Sequence, residues 1–447
     1  MCACQTATRY NAHALAGRET NALRETLGLL ETTIGGVGII LGAGIYVLVG
    51  KVAGEAGNTL WISFVMAAAM AAMIGLSYAE LASAHPRAGA DYEYTRQALG
   101  PRAAFVVGWL IVIGNLVAAA AVALGFGSYL KELLDVNARL AAVGALVIGT
   151  VIAFAGIRES VRLAIVGTLI EVAGLVIVIV IGIPHFGNVD LLDAKAGAPG
   201  IFSGAALVVF AYIGFEQIAT LSEETRDAVV VIPRAILLSV AITTALYLLV
   251  ALAAVSVLGW EALARADAPL AAVAADEMGA RASDVLAVIA LFSTANTVLL
   301  LLVAASRLIY GMASGGSLPR LLAWVHPRVH TPARAIVLAL VVSVGFALSG
   351  DITLVAGSTN FAVFIGFAAV NISLIVLRFT QPDLPRPFRV PLNIGRLPVL
   401  PIVALGLVGF LMANLERDAL LIGTGLFLSG VVAMEALSLW RPAGQST

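Results

Sequence analysis

Long apolar stretches alternate with short polar connections over most of the 447-residue chain. A helix needs about 20 consecutive apolar residues to cross the hydrocarbon core of a bilayer. Applied to this sequence, that length predicts twelve membrane-spanning helices, at residues 27–50, 59–83, 101–130, 138–156, 160–184, 203–221, 233–258, 284–312, 333–350, 354–378, 397–414 and 418–440. The longest connections, 185–202, 259–283 and 313–332, are too short for a separate soluble domain. The pattern therefore predicts an all-α integral membrane protein.

The composition excludes a soluble globular protein. Hydrophobic residues make up 60% of the chain, charged residues 12%, and the mean hydropathy is +1.00, whereas soluble domains carry about 25% charged residues. A net charge of −1 argues against nucleic-acid binding. Zinc-ligand spacings, phosphate-binding glycine loops and a catalytic triad pattern are missing from the sequence, and Cys2 and Cys4 lie in the N-terminal tail. We therefore expect no enzymatic activity, no metal site and no cofactor.

The basic residues predict the orientation of the chain. Nineteen of the 26 Lys and Arg residues fall in the tails and in alternate connections, and seven fall in the others. Because cytoplasmic loops hold the excess of positive charge, both termini are predicted to be cytoplasmic, in a multi-pass protein of the cell membrane. The first 25 residues contain no apolar stretch typical of a cleavable signal peptide.

Two predicted spans contain glycines beside polar groups in mid-membrane. Residues 35–44 of the first span hold five glycines, and the sequence Gly42-Ala43-Gly44 favours an opened helix. Liberated amides would suit a carboxylate, and liberated carbonyls an ammonium group or a cation. Close helix packing through small residues is the alternative. The sixth span carries Gly214 close to Glu216, and its position five spans later favours paired interruptions around a transport cavity.

These stretches also carry a family resemblance. Residues 38–46 resemble the glycine motif of the amino acid–polyamine–organocation (APC) transporter superfamily, and residues 210–236 resemble its sixth helix and the following loop. Further matching motifs lie within residues 80–89, 306–327 and 382–391. The resemblance runs from about residue 24 to 440 and is nearest to the cationic amino acid transporter branch and its bacterial amino acid permease relatives.

The resemblance implies the leucine-transporter fold, with a 5+5 inverted repeat, broken helices 1 and 6, and alternating access. It divides the chain into a cytoplasmic tail (1–25), a ten-helix transport core (26–380), helices 11 and 12 (381–440) and a C-terminal tail (441–447). In related transporters the substrate carboxylate meets backbone amides, its amino group meets backbone carbonyls, and an aromatic residue closes over it as a gate. The implied substrate-binding residues are Ile40, Gly42, Ala43, Gly44, Phe210 and Ile213, with Phe210 as the gate.

Glu171 departs from the family pattern, because many members carry a lysine at this position that replaces a sodium ion. The implied partners are carbonyls near Gly38 and Leu41 and the hydroxyls of Ser293 and Thr294. Three interpretations of the Glu171 carboxyl group remain open. The buried carboxyl group could bind and release a proton, its charge could hold sodium, or it could be a protonated structural strut.

For other polar residues of the spans, a functional role and a structural role are both consistent with the sequence. Glu216 either couples a proton to substrate release or accepts hydrogen bonds from the opened first helix. Ser293 and Thr294 could instead bond back to their own helix. Glu31, Glu80 and Glu435 lie near the ends of spans, and we expect solvated or capped positions for them.

The sequence thus predicts a secondary active transporter that takes up amino acids, coupled to protons. An amino acid/amine or polyamine exchanger, a sodium-coupled symporter and a transport-dead sensor are the alternatives. The expected partners are an amino acid substrate and the lipid bilayer.

Overall fold

The computed structural model describes residues 27–439 except 43, 86–89, 156, 315, 328 and 330. Within helices it leaves out the side chains of residues 90, 157–166, 220, 223, 224 and 437–439. Both predicted tails and Ala43, one of the predicted substrate-binding residues, therefore lie outside the described residues.

The described chain is mostly α-helical. In chain order the helices are α1 Leu29–Leu41, α2 Gly44–Ala56, α3 Leu60–Ala84, α4 Ala90–Leu99, α5 Pro101–Leu134, α6 Ala138–Ala155, α7 Ile157–Gly182, α8 Gly197–Tyr212, α9 Ala228–Arg265, α10 Pro269–Met278, α11 Ala280–Ser314, α12 Ala333–Ala347, α13 Ile352–Thr380, α14 Val399–Ala413 and α15 Arg417–Leu439. Short 3₁₀ helices lie at Gly57–Thr59, Ile183–His185, Phe215–Glu224 and Arg320–Ala323, and a two-stranded hairpin pairs β1 Asn393–Ile394 with β2 Leu397–Pro398.

Most of these helices are apolar enough to lie in a bilayer. Among the described residues, nine helical segments are long and apolar enough to cross a membrane, and one of them, Gly44–Ala84, contains both α2 and α3. Three shorter apolar helices are α1, α12 and α14. The protein is therefore a multi-pass membrane protein, as the hydropathy pattern predicts.

Two helices lie outside the predicted spans. The prediction of an open connection over 259–283 is wrong, because α9 continues to Arg265 and Pro269 starts α10. Proline suits the first helical position because the amide that it lacks would have no partner there. Likewise, α4 is too polar for a span, but acidic residues in its first turn and Arg96 in its last turn complement the helix dipole.

The helices pack in two groups. The first consists of α1, α2, α3, α8 and α9, and the second of α5, α6, α11 and α12. Helix α7 packs against α9 of the first group and α11 of the second, and α13 packs chiefly against α5. Small residues allow close approach: a Cβ on Gly44 would lie 2.6 Å from the Cα of Ala211, which brings α2 against α8.

Candidate functional site

The first glycine-rich segment is interrupted in mid-course. Helix α1 ends at Leu41 and α2 begins at Gly44. Gly42 has φ 24° and ψ −177°, a conformation that favours glycine because it has no Cβ. The backbone therefore departs from the α-helical conformation at Gly42.

The second interruption lies directly beside the first. Helix α8 ends at Tyr212, Ile213 is extended (φ −56°, ψ 134°), and Gly214 has φ 124° before the 3₁₀ helix begins. A Cβ on Gly214 would lie 2.9 Å from the carbonyl oxygen of Ile39. Glycine at 214 thus allows both the unusual dihedral angle and the close approach of α1.

A tyrosine that the sequence did not single out joins the two interruptions. The hydroxyl of Tyr247, on α9, lies 3.0 Å from the carbonyl oxygen of Ile40, 2.7 Å from that of Leu41 and 3.0 Å from that of Ala211. Tyr247 is fully buried, and its ring packs edge to face on Tyr212. Its single hydroxyl proton therefore lies within hydrogen-bonding distance of three carbonyl acceptors at the ends of the two helices, where carbonyls lack helical donors. The only signal in the sequence is a tyrosine alone in an apolar span, where its hydroxyl needs a partner.

Glu171 lies on α7 and is fully buried. Its Oε1 accepts a hydrogen bond from the Ser293 hydroxyl on α11 at 2.5 Å, and its Oε2 has no hydrogen-bond partner among the described residues. The Glu171 backbone carbonyl accepts a bond of 2.7 Å from the hydroxyl of Tyr46 on α2. The residue therefore contacts both helix groups, one through its side chain and the other through its backbone.

The other predicted partners of Glu171 are engaged elsewhere. Thr294 donates to the carbonyl of Ala290 in its own helix at 2.7 Å, which is the back-bonding alternative. The Leu41 carbonyl lies against Tyr247, as described above. Gly38 packs on α7 at Thr168, where a Cβ would lie 2.7 Å from the threonine methyl group. Of the four predicted partners, only Ser293 is seen bonded to the carboxylate.

Glu216 caps the second interruption. Its Oε2 accepts a hydrogen bond of 2.9 Å from the amide of Gly214. This donor belongs to the interruption after α8 and not to the first helix. The side chain is partly buried. Phe210, the predicted gate, is 6% exposed and lies within the hydrophobic core.

A cavity of about 700 Å³ reaches the second interruption. It is bounded by α3, α4, α5, α11, α13 and the segment 213–217. Ile213 and Glu216 line it, whereas the other described residues predicted for the substrate and ion sites do not. Arg307 and Gly311 on α11 are exposed at its edge, near the end of that helix.

A second carboxylate, Asp91 on α4, lies in the cavity wall. Its Oδ1 accepts a hydrogen bond from the hydroxyl of Tyr78 on α3. Burial raises the pKa of Asp91 to about 6, although the bond from Tyr78 opposes the shift. The sequence gives no signal for Asp91, because the short polar helix α4 lies in a connection between two predicted spans.

The expectation of a solvated or capped position for Glu80 is wrong. Glu80 is fully buried, and Arg378 on α13 binds both of its oxygens, at 2.9 and 2.5 Å. The amide of Val390 and the guanidinium of Arg386 also contact the carboxylate, at 2.7 and 3.4 Å. The partners come from residues 378–390, about 300 positions away, so one sequence could not reveal them.

Comparison with known proteins agrees with this architecture. The sequence profile of the family described as "Amino acid permease" matches residues 27–433. The chain is 33% identical over 414 residues to an uncharacterized transporter of Mycobacterium tuberculosis, covering 92% of this chain and 91% of that protein.

Two relatives from Bacillus subtilis have more specific names. The methylthioribose transporter is 31% identical over 421 residues, which is 90% of each chain. The branched-chain amino acid permease BcaP is 30% identical over 419 residues, covering 88% of this chain and 89% of the permease. These relatives are transporters and not enzymes, and they confirm the resemblance to the APC superfamily. The chain belongs to the amino acid permease family.

Proposed function

We propose that this protein is a secondary active transporter that carries amino acids across the cytoplasmic membrane by alternating access. The observation that carries the proposal is the cavity of about 700 Å³, which reaches the interruption at Ile213 and has an exposed edge on α11. Discontinuous helices at the end of such a cavity are the arrangement by which transporters hold a substrate in mid-membrane.

The proposed fold is a leucine-transporter fold with twelve crossings. If α1 and α2 form one crossing and α8 and the following 3₁₀ helix another, the apolar helices give twelve, with α4 and α10 outside the membrane. The first ten form the inverted-repeat core over 26–380, and α14 and α15 follow within 381–440. The distribution of Lys and Arg favours cytoplasmic termini. In this orientation the cavity faces the cytoplasm.

The substrate is proposed to bind the backbone at the two interruptions. Amides of residues 42–44, at the N-terminal end of α2, are suited to its carboxylate because the helix dipole is positive there. Carbonyls of Ile40, Phe210 and Ile213 receive its amino group. The Tyr247 hydroxyl lies at the Ile40 carbonyl in this structure, so the substrate ammonium replaces it there. Phe210 then acts as the gate on the extracellular side.

Coupling is proposed to depend on a proton bound at Glu171. A proton needs one acceptor oxygen, whereas a sodium ion needs a shell of oxygens, and within the part of the chain that the structure describes this carboxylate is seen bonded to one side-chain hydroxyl, that of Ser293. Glu216, in the cavity wall, is the second candidate for proton binding during release. Sodium at Glu171 and a purely structural role are the competing proposals.

Uptake by the purified protein in proteoliposomes tests this function. A panel of labelled amino acids is offered with a proton gradient or a sodium gradient imposed separately. Methylthioribose belongs in the panel because a relative is named for it. We expect accumulation of at least one amino acid with the proton gradient and none with sodium alone.

Each other outcome has a distinct meaning. Movement only into liposomes loaded with a counter-substrate supports an exchanger, and sodium-driven accumulation supports a symporter of that ion. Failure of every amino acid under all gradients and counter-substrates refutes amino acid transport.

A further inference from the structure

The cavity wall contains a glycine that neither backbone geometry nor helix packing requires. Gly366 lies in the interior of α13, and its φ is not in the positive range. It is buried, yet a Cβ placed on it would meet no atom within 4 Å. A buried position with open space in front of it faces a void, and Gly366 lines the cavity.

The other wall glycines differ: Gly311 also has open space at its Cβ but is exposed at the cavity edge, and two more, Gly108 and Gly114, meet neighbouring side chains. A Cβ on Gly108 would lie 3.4 Å from the ring of Tyr92, and one on Gly114 would lie 3.5 Å from the methyl group of Ala362. These glycines border neighbouring helices at ordinary contact distance. Glycine destabilises a helix relative to alanine, so its presence at 366 fits a role in leaving room for a ligand.

The space in front of Gly366 adjoins the second interruption. The ring of the next residue, Phe367, lies 5.3 Å from that of Phe215, which directly follows Ile213 and Gly214. Phe367, Val363 and Ala362 line the same cavity and are apolar. A substrate whose backbone is held at the interruption would therefore extend its side chain towards an apolar part of the cavity wall.

We propose that the space in front of Gly366 receives the side chain of the transported amino acid, and that this glycine sets the upper limit on side-chain size. The inference rests on the proposed amino acid transport. It assigns the protein to amino acids with large apolar side chains, because the wall beside Gly366 is apolar at Ala362, Val363 and Phe367 and the methyl group of alanine is too short to fill the space there.

Uptake by Gly366→Val and Gly366→Leu tests the size limit. Labelled glycine, alanine, leucine and phenylalanine are the probes. Leucine and phenylalanine uptake should fall by about tenfold or more, since one or two methylene groups suffice for such discrimination, and glycine and alanine uptake should change little. The matched control is Gly345→Val, a glycine in the last turn of α12 that is exposed and also has open space at its Cβ. Equal loss for all four probes, or a wild type restricted to glycine and alanine, would overturn the proposal.

Thiol labelling separates this inference from the proposed transport. Cys2 and Cys4 are the native cysteines, so a Cys2→Ser/Cys4→Ser background allows Gly366→Cys to be labelled with a cationic methanethiosulfonate. We expect labelling of Gly366→Cys that leucine and phenylalanine block more strongly than glycine, whereas labelling of the exposed Gly345→Cys should not change with any of these amino acids.

The two failures are then distinguishable. If wild type transports nothing but leucine still blocks the label, transport is wrong and the side-chain site stands. If wild type transports leucine but the label is absent or is not blocked, the role of Gly366 is wrong.

Discussion

Tyr247 shows how a single hydroxyl can organise a broken helix pair. Three carbonyl oxygens, from Ile40, Leu41 and Ala211, lie within 3.0 Å of it. Buried carbonyls without donors are costly in a bilayer because water cannot replace the missing bond. The tyrosine therefore stabilises the unwound backbone on both segments at once.

Removing that hydroxyl should destabilise the protein. We expect Tyr247→Phe to lower the free energy of unfolding by about 1–3 kcal/mol, the cost of leaving a buried acceptor without its donor. Thermal unfolding of the purified protein measures it as a lower Tm. The control is Tyr310→Phe on the partly exposed face of α11, which should leave Tm unchanged. Equal Tm values for wild type and Tyr247→Phe would contradict the bridging role.

Asp91 should make stability depend on pH. Burial raises the pKa of Asp91 from its ordinary value of 3.8 to about 6, so the folded state binds more protons than the unfolded state between these values. The contribution of Asp91 therefore falls as pH rises from about 4 to about 6 and stays low above pH 6. Asp91→Asn keeps an acceptor for Tyr78 and removes the titration. Compared with wild type, its Tm should be higher at pH 8 and similar at pH 4; a lower Tm at pH 8 would contradict the assignment.

The helices show which parts of the structure a single sequence can predict. Apolar stretches of bilayer length predict most of α3, α5 and α13, because length and hydropathy are local properties of the sequence. The hydropathy pattern does not predict α4, because this helix is short and polar and its placement depends on packing against other helices. The hydrogen bonds of the neighbouring hydroxyls also depend on packing. Ser293 donates to Glu171, whereas Thr294 donates to a carbonyl of its own helix, and the choice between these two rotamers is not visible in a single sequence.

The ends of α3 and α13 are joined by a buried ion pair. Glu80 and Arg378 are 0% and 3% exposed in their side chains, and Arg386 adds a second positive charge at 3.4 Å. Val390 donates its amide to the same carboxylate. The pair thus fixes the connection after α13 against the end of α3.

Removing the negative charge of this ion pair should lower the stability of the protein. Glu80→Gln leaves the buried guanidinium of Arg378 without a counter-charge, so we expect the free energy of unfolding to fall by about 3–5 kcal/mol. Glu261→Gln is the control, because Glu261 pairs with Arg265 on the exposed surface of α9 and such pairs contribute about 0–1 kcal/mol. Similar Tm changes in the two variants would show that burial does not matter at Glu80.

In the molecule as a whole, Glu171 lies where the two helix groups meet. Its carboxylate bonds to Ser293 on α11 of the second group, while its backbone carbonyl binds Tyr46 on α2 of the first. A proton on this carboxyl group changes the bond to one group without altering the bond to the other. Proton binding at this position would therefore bias the relative placement of the two groups, which is what coupling requires.

Uptake driven by an imposed proton gradient, compared between wild type and Glu171→Gln, tests this coupling most directly. Glutamine can still accept the Ser293 bond but cannot exchange a proton, so the variant should lose gradient-driven accumulation and keep exchange of internal for external amino acid. The control is Glu435→Gln, on the exposed side of α15, which should accumulate like wild type. Undiminished accumulation by Glu171→Gln would contradict a proton carried at this residue.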